Sequence, residues 1–384
     1  MRHVFRKHST LLLAVAGLVF AACSHGARVR TAAAPPTPAH APPAPTNAMP
    51  EQLNDKEYWA LEQEISEPGG YFQIHDNFTS NEMEIGQLFT MIRNARVAGD
   101  VYMGVGPEQN FTYIAAIRPR MAFVVDIRRQ AVMQHLMFKA IFEMAKDRAD
   151  FISLLFAKPR PAGLDTSTTI PKMWEAYRTV ASDSTLRNRN WPLIVERLTK
   201  THGFTFTTEE MGMLKLVFDA FYTYGPSIAT RGYAAGRGGD FTDLTGFSND
   251  QSGKPQSFLS SEENYQYVRM LHEKNLIVPV SGDFAGPKAI RSIGAYLTQR
   301  HGKVRGFYVS NVEQYLFQDG KDGAFYANVA SLPIDSASVF IRPYSMRRYM
   351  GGSPTQSLCP IGAFLEAAKV RRVLSYNASL TCGQ

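Results

Sequence analysis

The sequence predicts an α/β fold: a mainly parallel sheet with helices on both faces and a helical insertion. Three observations carry that expectation. Val101–Val105 is a β-branched and aromatic run that ends in the glycine turn Gly104-Val105-Gly106. A short helical pattern then leads to a second apolar run, Met121–Ile127, with Asp126 at its end. After a long helical stretch the alternation resumes at Leu276. Strand–helix alternation of this kind builds parallel sheets covered on both sides.

A helix is expected from about Ser80. Thr79 and Glu82 have capping-box spacing, and Ile85, Leu88, Phe89 and Ile92 form an apolar stripe. Pro107 suits the first turn of a helix over about 108–117, which must end before Pro119. The next helix, about 128–146, buries Met133, Met137, Ala140, Ile141 and Met144. Its other face carries Arg128, His135, Lys139 and Lys146 and is expected in solvent; His135 and Lys139, one turn apart, could otherwise bind an anion together. Phe151–Phe156 reads as a third strand.

Between about residues 158 and 274 the pattern becomes helical, near 171–181, 191–201, 208–222 and 261–274. This insertion holds a glycine-rich loop, 225–246, long enough to be either functional or disordered. Strands follow at Leu276–Val280 and Val304–Val309, with helices at 287–300 and 311–317 and a last strand at Ser338–Ile341.

The N-terminus has the form of an export signal, residues 1–22. Arg2, Arg6 and Lys7 precede the apolar run Leu11–Ala22, too short to span a bilayer comfortably. Cleavage before Cys23 would leave a lipidated cysteine, since Val-Phe-Ala-Ala-Cys resembles a bacterial lipoprotein box; ordinary signal-peptidase cleavage is the alternative. Residues 23–50 are rich in proline and alanine and read as a disordered tether, and 51–384 as the globular body. The expected partners are therefore a membrane, through the lipid anchor, and a small molecule. The expected location is the periplasm or the outer membrane.

Charge argues against nucleic acid. The chain has 41 basic and 34 acidic residues, but five of the basic ones lie in residues 1–50, which hold no acid, so the body carries 36 against 34. That is no electrostatic footprint for a polyanion. Cys359 and Cys382 are left in the body, either paired in an oxidising compartment or two free thiols. No Cys-x-x-Cys or His-Glu-x-x-His spacing points to a metal, and Ser281 in Val-Ser-Gly-Asp is not a nucleophile elbow.

Candidate site residues cluster at strand ends, where open α/β sheets bind ligands. Gly104 and Gly106, with Glu108 and Gln109 behind them, either approach a ligand or simply turn the chain. Asp126 lies 22 positions after Gly104 and is either a ribose acceptor or the ion-pair partner of Arg128 or Arg129. Asp283 is a base, an amine ligand or a helix cap. Asn311 and Glu313 follow the next strand and face the same edge.

Val101–Asp126 resembles the first two strands of a class I methyltransferase domain, a Rossmann-like fold. More specifically, the runs Gly-Val-Gly-Pro-Glu-Gln-Asn-Phe-Thr-Tyr (104–113), Val-Val-Asp-Ile-Arg-Arg-Gln (124–130), Gly-Asp-Phe-Ala-Gly-Pro-Lys-Ala (282–289) and Ser-Asn-Val-Glu-Gln-Tyr-Leu-Phe (310–317) resemble an uncharacterised bacterial family with a methyltransferase-like core, over about residues 70–345. The broader resemblance implies that Gly104 and Gly106 lie beneath S-adenosylmethionine and that Asp126 holds its ribose. Other residues disfavour that donor. Tyr102 stands where an acid is usual, Glu108 would place charge beside the donor's carboxylate, and export removes the chain from the donor's compartment. The expected function is binding of a small polar or nucleoside-like ligand at the sheet's carboxyl edge. The alternatives are a methyltransferase, and a non-catalytic envelope interaction protein whose relic pocket is closed by side chains.

Overall fold

The computed structural model describes residues 48–382, apart from 75, 83–84, 95–96, 230–231, 234–238, 247–248, 251 and 345–354. The expected signal peptide, Cys23 and nearly all of the tether lie outside the described residues. At the tether's end, Met49 is buried and its carbonyl accepts from Arg120 Nη2 at 3.1 Å, so the packed body begins slightly earlier than expected.

The body is α/β. Helix α1 (Asp55–Ile65) starts at a capping box in which Asn54 and Glu57 bond reciprocally. Helix α2 (Gly86–Asn94) comes next, then β1 (Val101–Gly104), α3 (Gln109–Ile117), β2 (Met121–Asp126) and α4 (Arg129–Met144). Helices α5 (Arg148–Phe156), α6 (Ile170–Arg178), α7 (Ser184–Glu196) and α8 (Thr208–Tyr224) follow. A two-residue ribbon, β3 (Ile228–Ala229) with β4 (Gly232–Tyr233), precedes α9 (Phe241–Gly246) and α10 (Glu262–Glu273). The sheet resumes with β5 (Ile277–Ser281), α11 (Ala289–Gln299), β6 (Val304–Tyr308), α12 (Val312–Gln318), α13 (Asp322–Val329), β7 (Val339–Tyr344) and β8 (Thr355–Pro360). Helices α14 (Ile361–Lys369) and α15 (Tyr376–Leu380) end the described chain.

The six strands are ordered β5-β2-β1-β6-β7-β8. The first five run parallel, and β8 pairs antiparallel with β7. The direction of strand order reverses at β1 and β6, so the switch point lies between Gly104 and Tyr308. Every residue of β1, β2 and β5 is buried, as parallel strands covered on both faces must be. Among the described residues no helix is long and apolar enough to cross a membrane. A disulfide joins Cys359 on β8 to Cys382 beyond α15, with Cα atoms 5.6 Å apart.

Three expectations are corrected. Phe151–Phe156 is helix α5: Asp147 caps it by accepting from Asp150 N, and Phe151, Ile152, Leu155 and Phe156 are buried at helical spacing. Six apolar-rich residues fit either period, and the cap decides. The helix expected from Ser80 starts at Gly86; Glu82, the acid of the expected capping box, accepts from Ser310 Oγ across the sheet edge. The outer face of α4 is buried, with His135 and Lys139 at 2% and 1% exposure, because α8 and α10 pack over it. Lys139 Nζ is satisfied there by Glu143 Oε1 and the His272 carbonyl, both at 2.6 Å, and by Asn275 Oδ1.

Candidate functional site

The glycine turn after β1 wraps a side chain of its own. Asn110 Nδ2 donates to the carbonyls of Val105, Gly106 and Pro107 at 3.0, 3.1 and 2.7 Å, and Asn110 Oδ1 accepts from Tyr102 OH. A side chain at Gly104 would collide with Asn110 Oδ1, and Gly106 has φ +79°, so both glycines are needed to close the turn. His135 Nε2 donates to the Gly106 carbonyl at 2.9 Å. Burial lowers this imidazole to about 4, so it is neutral near pH 7 and its Nδ1 lone pair has no hydrogen-bond partner.

Glu108 is buried just before α3. Its Oε1 accepts the Ser80 amide at 3.2 Å, and its Oε2 has no partner. Burial lifts the carboxyl to about 8. This overturns the expectation that Glu108 brings negative charge to the loop: near pH 7 it is a neutral acid. Gln109 Nε2 donates to Tyr113 OH, leaving Oε1 unpartnered.

Asp126 takes the ion-pair alternative. Its Oδ1 accepts Arg128 N and Nε at 2.9 and 3.0 Å, and its Oδ2 accepts Arg128 Nη2 at 2.8 Å. Asp283 Oδ1 accepts the Ala285 amide, and its Oδ2 lies 3.7 Å from Lys321 Nζ. It does not cap α11, whose N-cap residue is Lys288. Asn311 is exposed at the start of α12 and makes no side-chain cap bond. Glu313, buried two residues later, is paired with Arg342.

The feature that sequence reasoning missed is the segment between α1 and α2. Described at residues 66–74 and 76–82, it runs across the carboxyl ends of four strands in their spatial order. At β5, Glu67 N donates to the Ser281 carbonyl and Ser281 N to Ser66 Oγ, at 2.7 and 3.0 Å. At β2, Gly70 N donates to the Ile127 carbonyl at 2.7 Å, and Arg128 Nη1 reaches the Ile74 carbonyl. Over β1, Ser80 bonds Glu108, and Gln134 Nε2 donates to the Phe78 carbonyl at 2.6 Å. At β6, Ser310 Oγ donates to Glu82 Oε1 at 2.7 Å. Only Gly69-Gly70 hinted at close approach: a Cβ on Gly69 would lie 2.8 Å from that of Arg129.

An open cavity of about 680 Å³ lies against the outer side of this strap, and another of about 670 Å³ lies within the helical insertion. The walls of the first are Gly69–Phe72, Arg128–Gln130 and the start of α8 from Thr207 to Met213. Of the expected site residues only Arg128 lines it; Gly106, Asp126 and Asp283 do not. Arg129 is held by Glu62 and Glu210, and Tyr71 stands 84% exposed on the rim. Among the described residues no group of three His, Cys, Asp or Glu side chains could hold a metal ion.

This is a Rossmann-like α/β protein in which the carboxyl edge of the sheet is crossed by its own chain. Within that class it belongs to the family described as Domain of unknown function (DUF7790), matched over residues 77–201 and 243–360. The match leaves out most of the strap and the whole of α8. No curated protein matches the chain.

Proposed function

We propose that this is an exported, lipid-anchored binding protein. It takes a small polar ligand in the open cavity beside β2 and performs no methyl transfer. The cavity carries the reading: about 680 Å³ is within the range that encloses small molecules, and it adjoins the carboxyl edge of the sheet. Its rim offers the face of Tyr71 for stacking on a planar, nucleoside-like group, and its floor offers guanidinium and carboxylate groups held in place by one another. The closed turn speaks against S-adenosylmethionine, because Asn110 and the strap fill the space in which a donor would lie. The same closure favours a second reading, an envelope interaction protein with a relic pocket.

A thermal-shift screen of polar metabolites, with S-adenosylmethionine included, tests the proposal on the processed protein and on Met213→Trp, which fills the cavity. Hits that stabilise the wild type by several degrees and leave the variant unmoved support it, and the methyl donor is expected to give no shift. Hits that stabilise both proteins equally overturn it.

The anchor is tested apart. A tagged fatty acid fed to cells should label the wild type and not Cys23→Ala; equal labelling of both would remove the lipid anchor from the proposal.

A further inference from the structure

Glu67 is seated where the strap begins. Its Oε1 accepts the amides of Lys288 and Ala289, both at 2.8 Å, and its Oε2 accepts that of Asp283 at 3.2 Å. A carboxylate among backbone amides at a helix start makes strong charge-assisted bonds, and here it comes from 221 residues away. Gly286 keeps the seat open, since a Cβ there would lie 2.5 Å from Glu67 Oε2. The rest of the strap is held mostly by single hydrogen bonds, which water can replace at small net cost. Residues 68–71 are exposed, and among the strap's described residues Phe78 is the buried aromatic side chain.

Beneath the far half of the strap the switch point is poorly satisfied. Glu108 Oε2 and Gln109 Oε1 are buried without partners, as native interiors seldom allow. Both belong to the turn that the Ser80 amide covers. Neither side chain lines the open cavity, although the near half of the strap, residues 66–72, forms one of its walls.

We propose that residues 66–74 and 76–82 form a lid, pegged by Glu67, that lifts as one unit and opens the crevice between the ends of β1 and β6. Closed, the lid hides the hydrogen-bonding groups of Glu108 and Gln109. Open, it gives them to solvent or to a second ligand at the place where sheets of this kind bind one.

Hydrogen–deuterium exchange on the full processed chain tests this. Glu67→Ala removes the peg, and Gly286→Ala crowds it from the facing turn, where the added Cβ also meets the Asp283 carbonyl, while the strap keeps its own sequence. In both variants the peptide containing Ser80 should exchange at least tenfold faster, although Glu67 makes no contact with it, while β1 amides keep their protection. Acceleration confined to residues 283–289 and the Glu67 peptide would make Glu67 a local helix cap and overturn the lid. Equal acceleration of β1 would mean general loosening, and would overturn it as well.

Discussion

Replacing Arg342 with alanine should cost about 3–5 kcal/mol of stability, the penalty for breaking a fully buried ion pair by removing one partner. Arg342 and Glu313 are 0% and 1% exposed. Two guanidinium nitrogens, Nε and Nη2, bond the two carboxylate oxygens, and Tyr326 OH donates to Oε1 at 2.9 Å. The guanidinium lies 4.1 Å from the centroids of both Phe340 and Phe364, so water has little access to it. The alanine variant would leave a carboxylate among aromatic rings with only a tyrosine hydroxyl for company. A triple variant, Arg342→Met with Glu313→Leu and Tyr326→Phe, should recover most of the loss, because packed apolar groups replace buried pairs at little cost. Urea melts of the three proteins decide it. A cost below 1 kcal/mol for the alanine variant would show that Glu313 finds water.

That pair also shows how far the sequence could be read. Glu313 was placed at the correct edge because a residue just past a strand must lie there. Its partner sits in β7, and nothing local marks Ile-Arg-Pro-Tyr as an interior strand. The parallel strands β1, β2, β5, β6 and β7 are legible where the signal is local: β-branched runs, a glycine turn, an acid at a strand end. Phe151–Phe156 failed because a short apolar run has no readable period. His135 and Lys139 failed because the helices that cover them belong to an insertion whose docking the sequence does not encode locally. The strap failed most completely. It has no periodicity, and its anchors, Ser281, Ile127, Glu108 and Ser310, are dispersed along the chain. At the site, the sequence did hold the right alternative for Asp126, since Arg128 is two residues away and the pairing is local.

Glu108 gives the second large effect, and it is a pH effect. Burial raises this carboxyl from an ordinary 4.5 to about 8, and the bonds opposing burial come only from the backbone amides of Ser80 and of Glu108 itself. In the unfolded chain the group loses its proton near 4.5; in the folded protein it keeps the proton until about 8. Between those values the folded state binds more protons, so stability falls as pH rises, by about 1.4 kcal/mol per unit. Across the whole window the loss is on the order of 4–5 kcal/mol, and outside it the contribution is flat. Glu108→Gln keeps the acceptor for Ser80 and removes the titration. Its melts should lack this component of the slope, and at pH 8 it should exceed the wild type by a few kcal/mol, less roughly 1–3 kcal/mol if its amide nitrogen stays unpaired. A variant less stable than wild type at pH 8, with the slope unchanged, would mean that Glu108 is ionised in the fold. The outcome bears on function as well. A neutral Glu108 does not repel an anionic ligand, so charge cannot be what keeps a methyl donor from this turn. On the proposed function, the donor is kept out by the side chain of Asn110 within the turn and by the strap across it, and of these two only the strap could lift.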